Sequence, residues 1–150
     1  VTLTDHISFA IERYEKGMKF ITSRVNTRIL ADESVFSPED ALRIMAEHAA
    51  DMVNIKLMKT GGIHEALKIV SLAEVCGVEC MIGCMLESKI AVSAAAHLAA
   101  AKSVITAVDL DGPSLCSQDP YIGGPLYEGP LIKMTGDAGL GIIKVPVSFR

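Results

Sequence analysis

The chain has 150 residues, half of them hydrophobic and 21% charged, with a formal net charge of -4. This length suits one domain with a sizeable core, and the apolar content exceeds that of an average soluble domain. The acidic balance and the lack of a basic cluster argue against nucleic acid as a partner. No apolar run reaches transmembrane length and no secretory pattern is visible, so we expect no membrane contact and a cytoplasmic location. The four cysteines match neither a CxxC nor a zinc spacing and are expected to be free thiols.

The N-terminal part predicts one helix and one strand. Residues 1 to 26 form a lead-in helix that Asp5 can cap, and residues 27 to 33 form a strand that ends in Asp32 and Glu33.

Strands and helices then alternate through the middle of the chain. Ser37 followed by Pro38 is typical of a helix start and predicts a helix over residues 38 to 50. Alternating apolar and polar residues predict the next strand over residues 53 to 58, with Lys56 near its carboxyl end. The elements expected after it are helices near 63–76 and 89–101 and strands near 79–84 and 105–110.

This order predicts an α/β fold with four parallel strands in sequential order and helices over one face. We divide the chain into the lead-in (1–26), the β/α repeats (27–113) and a Gly- and Pro-rich tail (114–150). Strand-like pieces in the tail suggest a hairpin across Gly136 and Asp137.

Polar side chains and main-chain groups that could take part in catalysis or binding follow the ends of the predicted strands. Active sites of parallel α/β folds lie at the carboxyl ends of the strands, so we expect these groups to converge at one edge. A carboxylate there can hold Mg²⁺, and a lysine can act as a general base if burial and a nearby cation depress its pKa. Asp32 as a solvated acid, Asp109 and Asp111 as turn caps, and Lys56 as a snorkelling side chain stay open as alternatives. The candidate residues are Asp32, Lys56, Cys84, Leu86, Asp109 and Asp111.

Four segments give these positions a family resemblance. They are Ala31 to Ser34, Asn54 to Gly62, Met81 to Glu87, and Asp109 to Asp111. Together they resemble the enolase superfamily, and most closely its muconate lactonizing-like dipeptide epimerases of the L-Ala-D/L-Glu type, over roughly residues 17 to 143. Enzymes of this superfamily pair a Lys or His base with Mg²⁺.

The resemblance implies a (β/α) TIM-type barrel of which this chain contains the C-terminal half. It implies that Asp32 is one of three carboxylate ligands of Mg²⁺ and that Lys56 is one of two catalytic lysines, which remove and return the α-proton through an enolate. It further implies that Asp109 and Asp111 hold the ammonium group of a small dipeptide. The main chain of Cys84 and Leu86 would line the substrate site.

The chain also departs from the family pattern. No K-x-K strand is present, Ile7-Ser8-Phe9 stands where the family has Glu-Gln-Pro, and Arg28 replaces a usual proline. We therefore expect a half-barrel that self-associates or needs an N-terminal half, and that is inactive alone. The alternatives are an enzyme like muconate cycloisomerase or o-succinylbenzoate synthase, or a non-catalytic half-barrel.

Overall fold

The computed structural model describes residues 14–144, which contain a four-stranded parallel sheet. Its strands are β1 (Leu30–Ala31), β2 (Met52–Lys56), β3 (Glu79–Gly83) and β4 (Ile105–Asp109). The spatial order is β1-β2-β3-β4, and each neighbouring pair is parallel. The predicted α/β half-barrel with four sequential strands is thus confirmed. The first strand is much shorter than expected.

Helices connect the strands. They are α1, whose described part covers residues 14–22, α2 (Pro38–Ala46), α3 (Leu57–Thr60), α4 (Ile63–Cys76), α5 (Lys89–Ala101), and a 3₁₀ turn (Gly112–Leu115). The expected cap by Asp5 lies outside the described residues.

The start of α2 is the one the sequence predicts, but its end is earlier. The Ser37 hydroxyl accepts a hydrogen bond from the Asp40 amide at 3.1 Å, as an N-cap does. The helix ends at Ala46 rather than near residue 50 because His48 turns the chain with a φ of 51°.

The core lies between one face of the sheet and the helices. Val53, Ile55 and Ile82 point into it from β2 and β3 and are completely buried, together with Ile44 of α2 and Ile69 of α4. The opposite face, the inner face of the half-barrel, carries Asn54 and Lys56. Its apolar side chains are only partly buried: Leu30, Met52, Met81 and Ala107.

The strand that carries Lys56 stops two residues earlier than expected. Lys56 is its last residue, and the next four residues form α3. Gly61 ends α3 with a φ of 88°, a left-handed conformation that suits glycine. The chain therefore changes direction directly after Lys56.

The tail forms two small antiparallel pairs, and the expected hairpin across Gly136 and Asp137 is wrong. β6 (Leu126–Glu128) pairs with β7 (Leu131–Lys133), whereas β5 (Ile122–Gly123) pairs with the later β8 (Ile142–Lys144). The turn is made instead by Gly129, with a φ of 58°, followed by a proline.

Two contacts tie this tail to the segment after β4 and to α5. The Tyr127 hydroxyl donates a 2.6 Å hydrogen bond to the Leu110 carbonyl, and Lys89 forms an ion pair with Asp119. The division at residues 113 and 114 stays a prediction.

Within residues 14–144, no helix has the length and the apolar character needed to cross a membrane. The four cysteines, all within this range, are free thiols, as expected.

Candidate active site

The carboxyl ends of the four strands form one rim, and the candidate residues lie along it. Asp32 follows β1, Lys56 ends β2, Cys84 follows β3 and Asp109 ends β4. In the sheet register Lys56 is opposite Gly83, and Gly83 is opposite Asp109. With strands about 4.8 Å apart, the main chains at Lys56 and Asp109 are roughly 10 Å from each other.

Lys56 is buried and doubly ion-paired. Its Nζ lies 2.9 Å from Asp32 Oδ2 and 3.0 Å from Glu33 Oε1. Burial opposes its charge, but the hydrogen bonds and charges of Asp32 and Glu33 outweigh that cost, so the pKa of Lys56 is raised. The depressed pKa expected of a base is therefore not found, and Lys56 is an ammonium group in this arrangement.

Glu33 contacts Lys56 although a continuous strand would point it to the other side of the sheet. β1 ends at Ala31, so Glu33 lies in the following turn, where strand alternation no longer fixes its direction. The short first strand thus brings two carboxylates to one lysine.

Asp32 is held by two lysines. Its Oδ2 contacts Lys56, and its Oδ1 accepts a 2.7 Å hydrogen bond from Lys59. Burial by itself would raise the pKa of Asp32, but the bonds from Lys59 and Lys56, with a further one from the Asn54 amide, lower it. Asp32 is therefore a carboxylate whose two oxygens are both engaged.

The residues present do not by themselves fit a magnesium site. Within residues 14–144, no group of three His, Cys, Asp or Glu side chains is placed to hold a metal ion. Asp32 supplies one carboxylate, already neutralised by two ammonium groups, whereas Mg²⁺ takes near-octahedral oxygen coordination. Asn54 adds a buried carbonyl oxygen, Oδ1, that has no hydrogen-bond partner among the described residues.

The acidic pair at β4 is exposed and unengaged. Asp109 ends the strand, and Asp111 precedes the 3₁₀ turn without capping it through its side chain. Among the described residues, neither carboxylate has an ion-pair partner. This arrangement argues against turn capping by Asp111 and leaves two negative charges available to a cation.

Cys84 and Leu86 follow β3 beside the acidic pair. The Cys84 amide donates a 3.0 Å hydrogen bond to the Asp109 carbonyl, so its main chain is fixed next to β4. Burial, together with the charges of Glu87, Asp111 and Asp109, raises the pKa of the Cys84 thiol despite a hydrogen bond at Gly112. Leu86 is 79% exposed and borders a cavity of about 270 Å³.

Sequence reasoning missed two residues of this site, Lys59 and Asn54. A strand continued to residue 58 would place Lys59 on the face opposite Lys56, but α3 returns it to Asp32. The signal was present as two lysines three residues apart before Gly61 and Gly62, a spacing that aligns side chains on a helix. Arg28, in contrast, binds Glu79 at the amino end of the sheet, away from the site.

A parallel half-barrel with a buried lysine and carboxylates at the carboxyl ends of its strands is typical of α/β barrel enzymes, whose active sites lie at that end. The chain matches the enolase C-terminal domain-like family over residues 9–143 and belongs to it. The predicted membership of the enolase superfamily is confirmed.

Individual relatives are epimerases. An L-Ala-D/L-Glu epimerase from Clostridium acetobutylicum is 60% identical over 127 residues, which is 85% of this chain and 36% of that protein. The chain is also similar to the substrate-liganded L-Ala-D/L-Glu epimerase of Bacillus subtilis, with a TM-score of 0.83, 50% identity, and coverage of 86% of this chain and 36% of that one.

A third similar structure is the dipeptide epimerase of Enterococcus faecalis V583 in complex with Mg and the dipeptide L-Leu-L-Tyr. It has a TM-score of 0.83 and 52% sequence identity. The match covers 87% of this chain and 37% of that one. The chain therefore spans about a third of the length of the relatives that it matches. The expected resemblance to dipeptide epimerases is confirmed.

Proposed function

We propose that this chain is the part of a dipeptide epimerase that carries one acid/base lysine, Lys56, and the ammonium-binding pair Asp109 and Asp111. The observation that supports this most directly is the register: Lys56 and Asp109 are two strands apart on one face of the sheet, with the glycine of β3 between them. The relatives named L-Ala-D/L-Glu epimerase make a dipeptide with an acidic second residue the substrate class to test.

The spacing suits such a substrate. An extended dipeptide is roughly 7 Å long, which compares with roughly 10 Å between the main chains at Lys56 and Asp109. With its ammonium group at the acidic pair, the α-carbon of its second residue lies toward Lys56. Between them lies Gly83, which has no side chain of its own and is covered by the amide of Asn54.

Lys56 would then exchange a proton at one face of that α-carbon. As an ammonium group it donates a proton, and it becomes a base after it has lost one. Epimerisation also requires a proton transfer at the opposite face, and the other lysine described at this rim, Lys59, is bound to Asp32. We therefore propose that the rest of the barrel supplies that group.

Mg²⁺ is proposed as the cofactor of the whole enzyme, with Asp32 as one ligand, because the Enterococcus faecalis relative is complexed with Mg and a dipeptide. When bound, the ion would stabilise negative charge on the substrate carboxylate. The main chain of Cys84 and Leu86, which lies beside Asp109, is proposed to line the substrate site. The cytoplasmic location stays a prediction that the free thiols support.

The experiment uses a hybrid enzyme, in which this chain follows the part of the Bacillus subtilis epimerase that it does not match. L-Ala-L-Glu is incubated in D₂O, and epimer formation and deuterium at the α-carbon are followed by NMR. We expect epimerisation by the hybrid and its loss, by at least about 10³-fold, in Lys56→Ala, because the general acid/base is removed. Lys68→Ala, which removes an exposed lysine paired with Glu65, should keep full activity. Activity that survives Lys56→Ala would contradict the proposal.

The half-barrel's open edges favour a second candidate, self-association. Among residues 14–144, β1 and β4 each pair with one neighbouring strand only, and Val108 of β4 is 49% exposed. Sedimentation of the 150-residue chain tests this possibility: a monomer at all concentrations would exclude it.

A further inference from the structure

The side chain of Lys59 is more deeply buried than that of Lys56, although the proposed chemistry does not use it. Its side chain is 4% exposed, compared with 10% for Lys56. A buried ammonium group is costly unless it is paired and hydrogen-bonded. The contacts of Lys59 must therefore offset this cost.

The ammonium group of Lys59 donates to two oxygen atoms of one residue, Asp32. Its Nζ donates to Asp32 Oδ1 at 2.7 Å and to the Asp32 main-chain carbonyl at 2.5 Å, and it lies 5.7 Å from the centre of the Phe36 ring. A group that binds both the carboxylate and the carbonyl of one residue fixes the rotation of that side chain. Oδ2 is thereby directed to Lys56, which it meets at 2.9 Å.

The local fold explains how Lys59 reaches this position. β2 ends at Lys56 and α3 follows at once, so Lys56 and Lys59 are separated by about one helical turn. The backbone of Gly61 adopts the left-handed conformation that ends α3. Both ammonium groups thus approach Asp32, one at each oxygen.

The balance of charges at the site also supports a structural link from Lys59 through Asp32 to Lys56. Lys56 and Lys59 meet Asp32 and Glu33, so two positive and two negative charges share the site. Loss of Lys59 would leave Oδ1 without the donor that holds it and let the carboxylate turn away from Lys56. We propose that Lys59 is a positioning residue of the proposed epimerase, one that acts on Lys56 by fixing the orientation of Asp32.

This inference rests on the proposed function, so its test has a structural part and a kinetic part. The structural part compares crystal structures of the 150-residue chain, unchanged and with Lys59→Met or Lys59→Arg. We expect the Asp32 carboxylate to rotate in Lys59→Met, so that Oδ2 no longer contacts Lys56, and to keep its place in Lys59→Arg. An Asp32 carboxylate that keeps its place in Lys59→Met overturns the inference, whether or not the hybrid is active.

The kinetic part uses the hybrid enzyme. We expect Lys59→Met to lower kcat about 10- to 100-fold with KM within about twofold, because displacement of a catalytic group by about 1 Å costs up to about 100-fold. Lys59→Arg should recover kcat to within about fivefold. Lys68→Met is the matched control and should leave both constants unchanged, because that lysine is exposed and paired with Glu65, away from the rim.

Stability is measured in parallel, since a merely structural lysine would also matter for folding. A fall in kcat equal to the fall in folded fraction, or no recovery in a folded Lys59→Arg variant, overturns the inference. If Lys59→Met does not fold, Lys59→Gln replaces it, because glutamine keeps a donor and removes the charge. A hybrid that is inactive before any substitution instead counts against the proposed function, and the crystal structures then decide about Lys59.

Discussion

Asn54 of β2 and Gly83 of β3 are diagonal neighbours on the inner face of the sheet, and the Asn54 amide occupies the space that a side chain on Gly83 would need. A Cβ built on Gly83 would lie 2.9 Å from Asn54 Oδ1 and 3.0 Å from Nδ2. Asn54 is buried and its amide also bonds to Asp32, so this contact joins β3 to the carboxylate beside Lys56.

The first prediction is that Gly83→Ala destabilises the chain and disturbs the site. Because the amide of Asn54 cannot stay in place, we expect a loss of about 1–3 kcal/mol in the free energy of unfolding, as for other overpacked positions. Urea denaturation measures it. Gly136→Ala is the control, since nothing lies within 4 Å of a Cβ at that exposed position. Equal effects of the two substitutions would contradict the prediction.

The order of the elements and the position of Lys56 could be predicted from sequence because both follow from local patterns. Hydrophobic alternation shows a strand, and Ser37 with Pro38 shows where a helix begins. The three-residue spacing of Lys56 and Lys59 suits a helix, but it does not by itself predict the Lys59–Asp32 contact. That contact depends on where β2 stops, and a run of apolar and basic residues is compatible with both strand and helix. In the tail, β8 pairs with β5 across 18 intervening residues, a long-range choice that turn signals alone do not fix.

The second prediction concerns the free amine of the substrate. Changing both Asp109 and Asp111 to Asn in the hybrid should weaken the use of L-Ala-L-Glu far more than that of its N-acetyl analogue, because only the former carries an ammonium group. Loss of a charge-assisted hydrogen bond costs roughly 1.5–3 kcal/mol, about 10- to 100-fold in kcat/KM. Steady-state kinetics with both compounds give the comparison, and Asp137→Asn is the control at an exposed acid of the tail. The same loss for both substrates would show that the pair has only a structural role.

The third prediction is a pH dependence that originates at the tail. Burial by itself would raise the pKa of Asp119, but the bonds from Lys89 and from the Tyr121 amide lower it below the ordinary 3.8. Between the lowered pKa and the ordinary one, the unfolded chain therefore binds more protons than the folded chain. The stabilisation that the charged Asp119 provides is present above about pH 4 and is lost as the pH falls through the lowered pKa.

Unfolding free energies between pH 6 and pH 2.5 test this expectation. At pH 6, Asp119→Asn should be less stable by about 0.5–1 kcal/mol, the scale for a partly exposed ion pair, and the difference should shrink as the pH falls. Asp137→Asn should follow the unchanged chain throughout. A difference between Asp119→Asn and the unchanged chain that is constant with pH would rule out Asp119 as a source of the pH dependence.

The last prediction is that the 150-residue chain by itself is not an efficient epimerase. In the proposed function Lys56 acts on one face of the substrate carbon only. In the structure Asp32 is a single carboxylate already bound to Lys56 and Lys59. A Mg²⁺ ion would have to displace an ammonium group and find its other oxygen ligands in water, so calorimetric titration should give a dissociation constant weaker than about 1 mM. In D₂O the chain should at most exchange the α-proton of one epimer slowly, without forming the other. Adding the unmatched part of the Bacillus subtilis epimerase as a separate chain should restore turnover, and Lys56→Ala should then abolish it. Robust Mg²⁺-dependent epimerisation by the purified chain with no partner would contradict this prediction. It would show that the chain itself supplies the second proton-transfer group and the metal ligands that residues 14–144 do not provide.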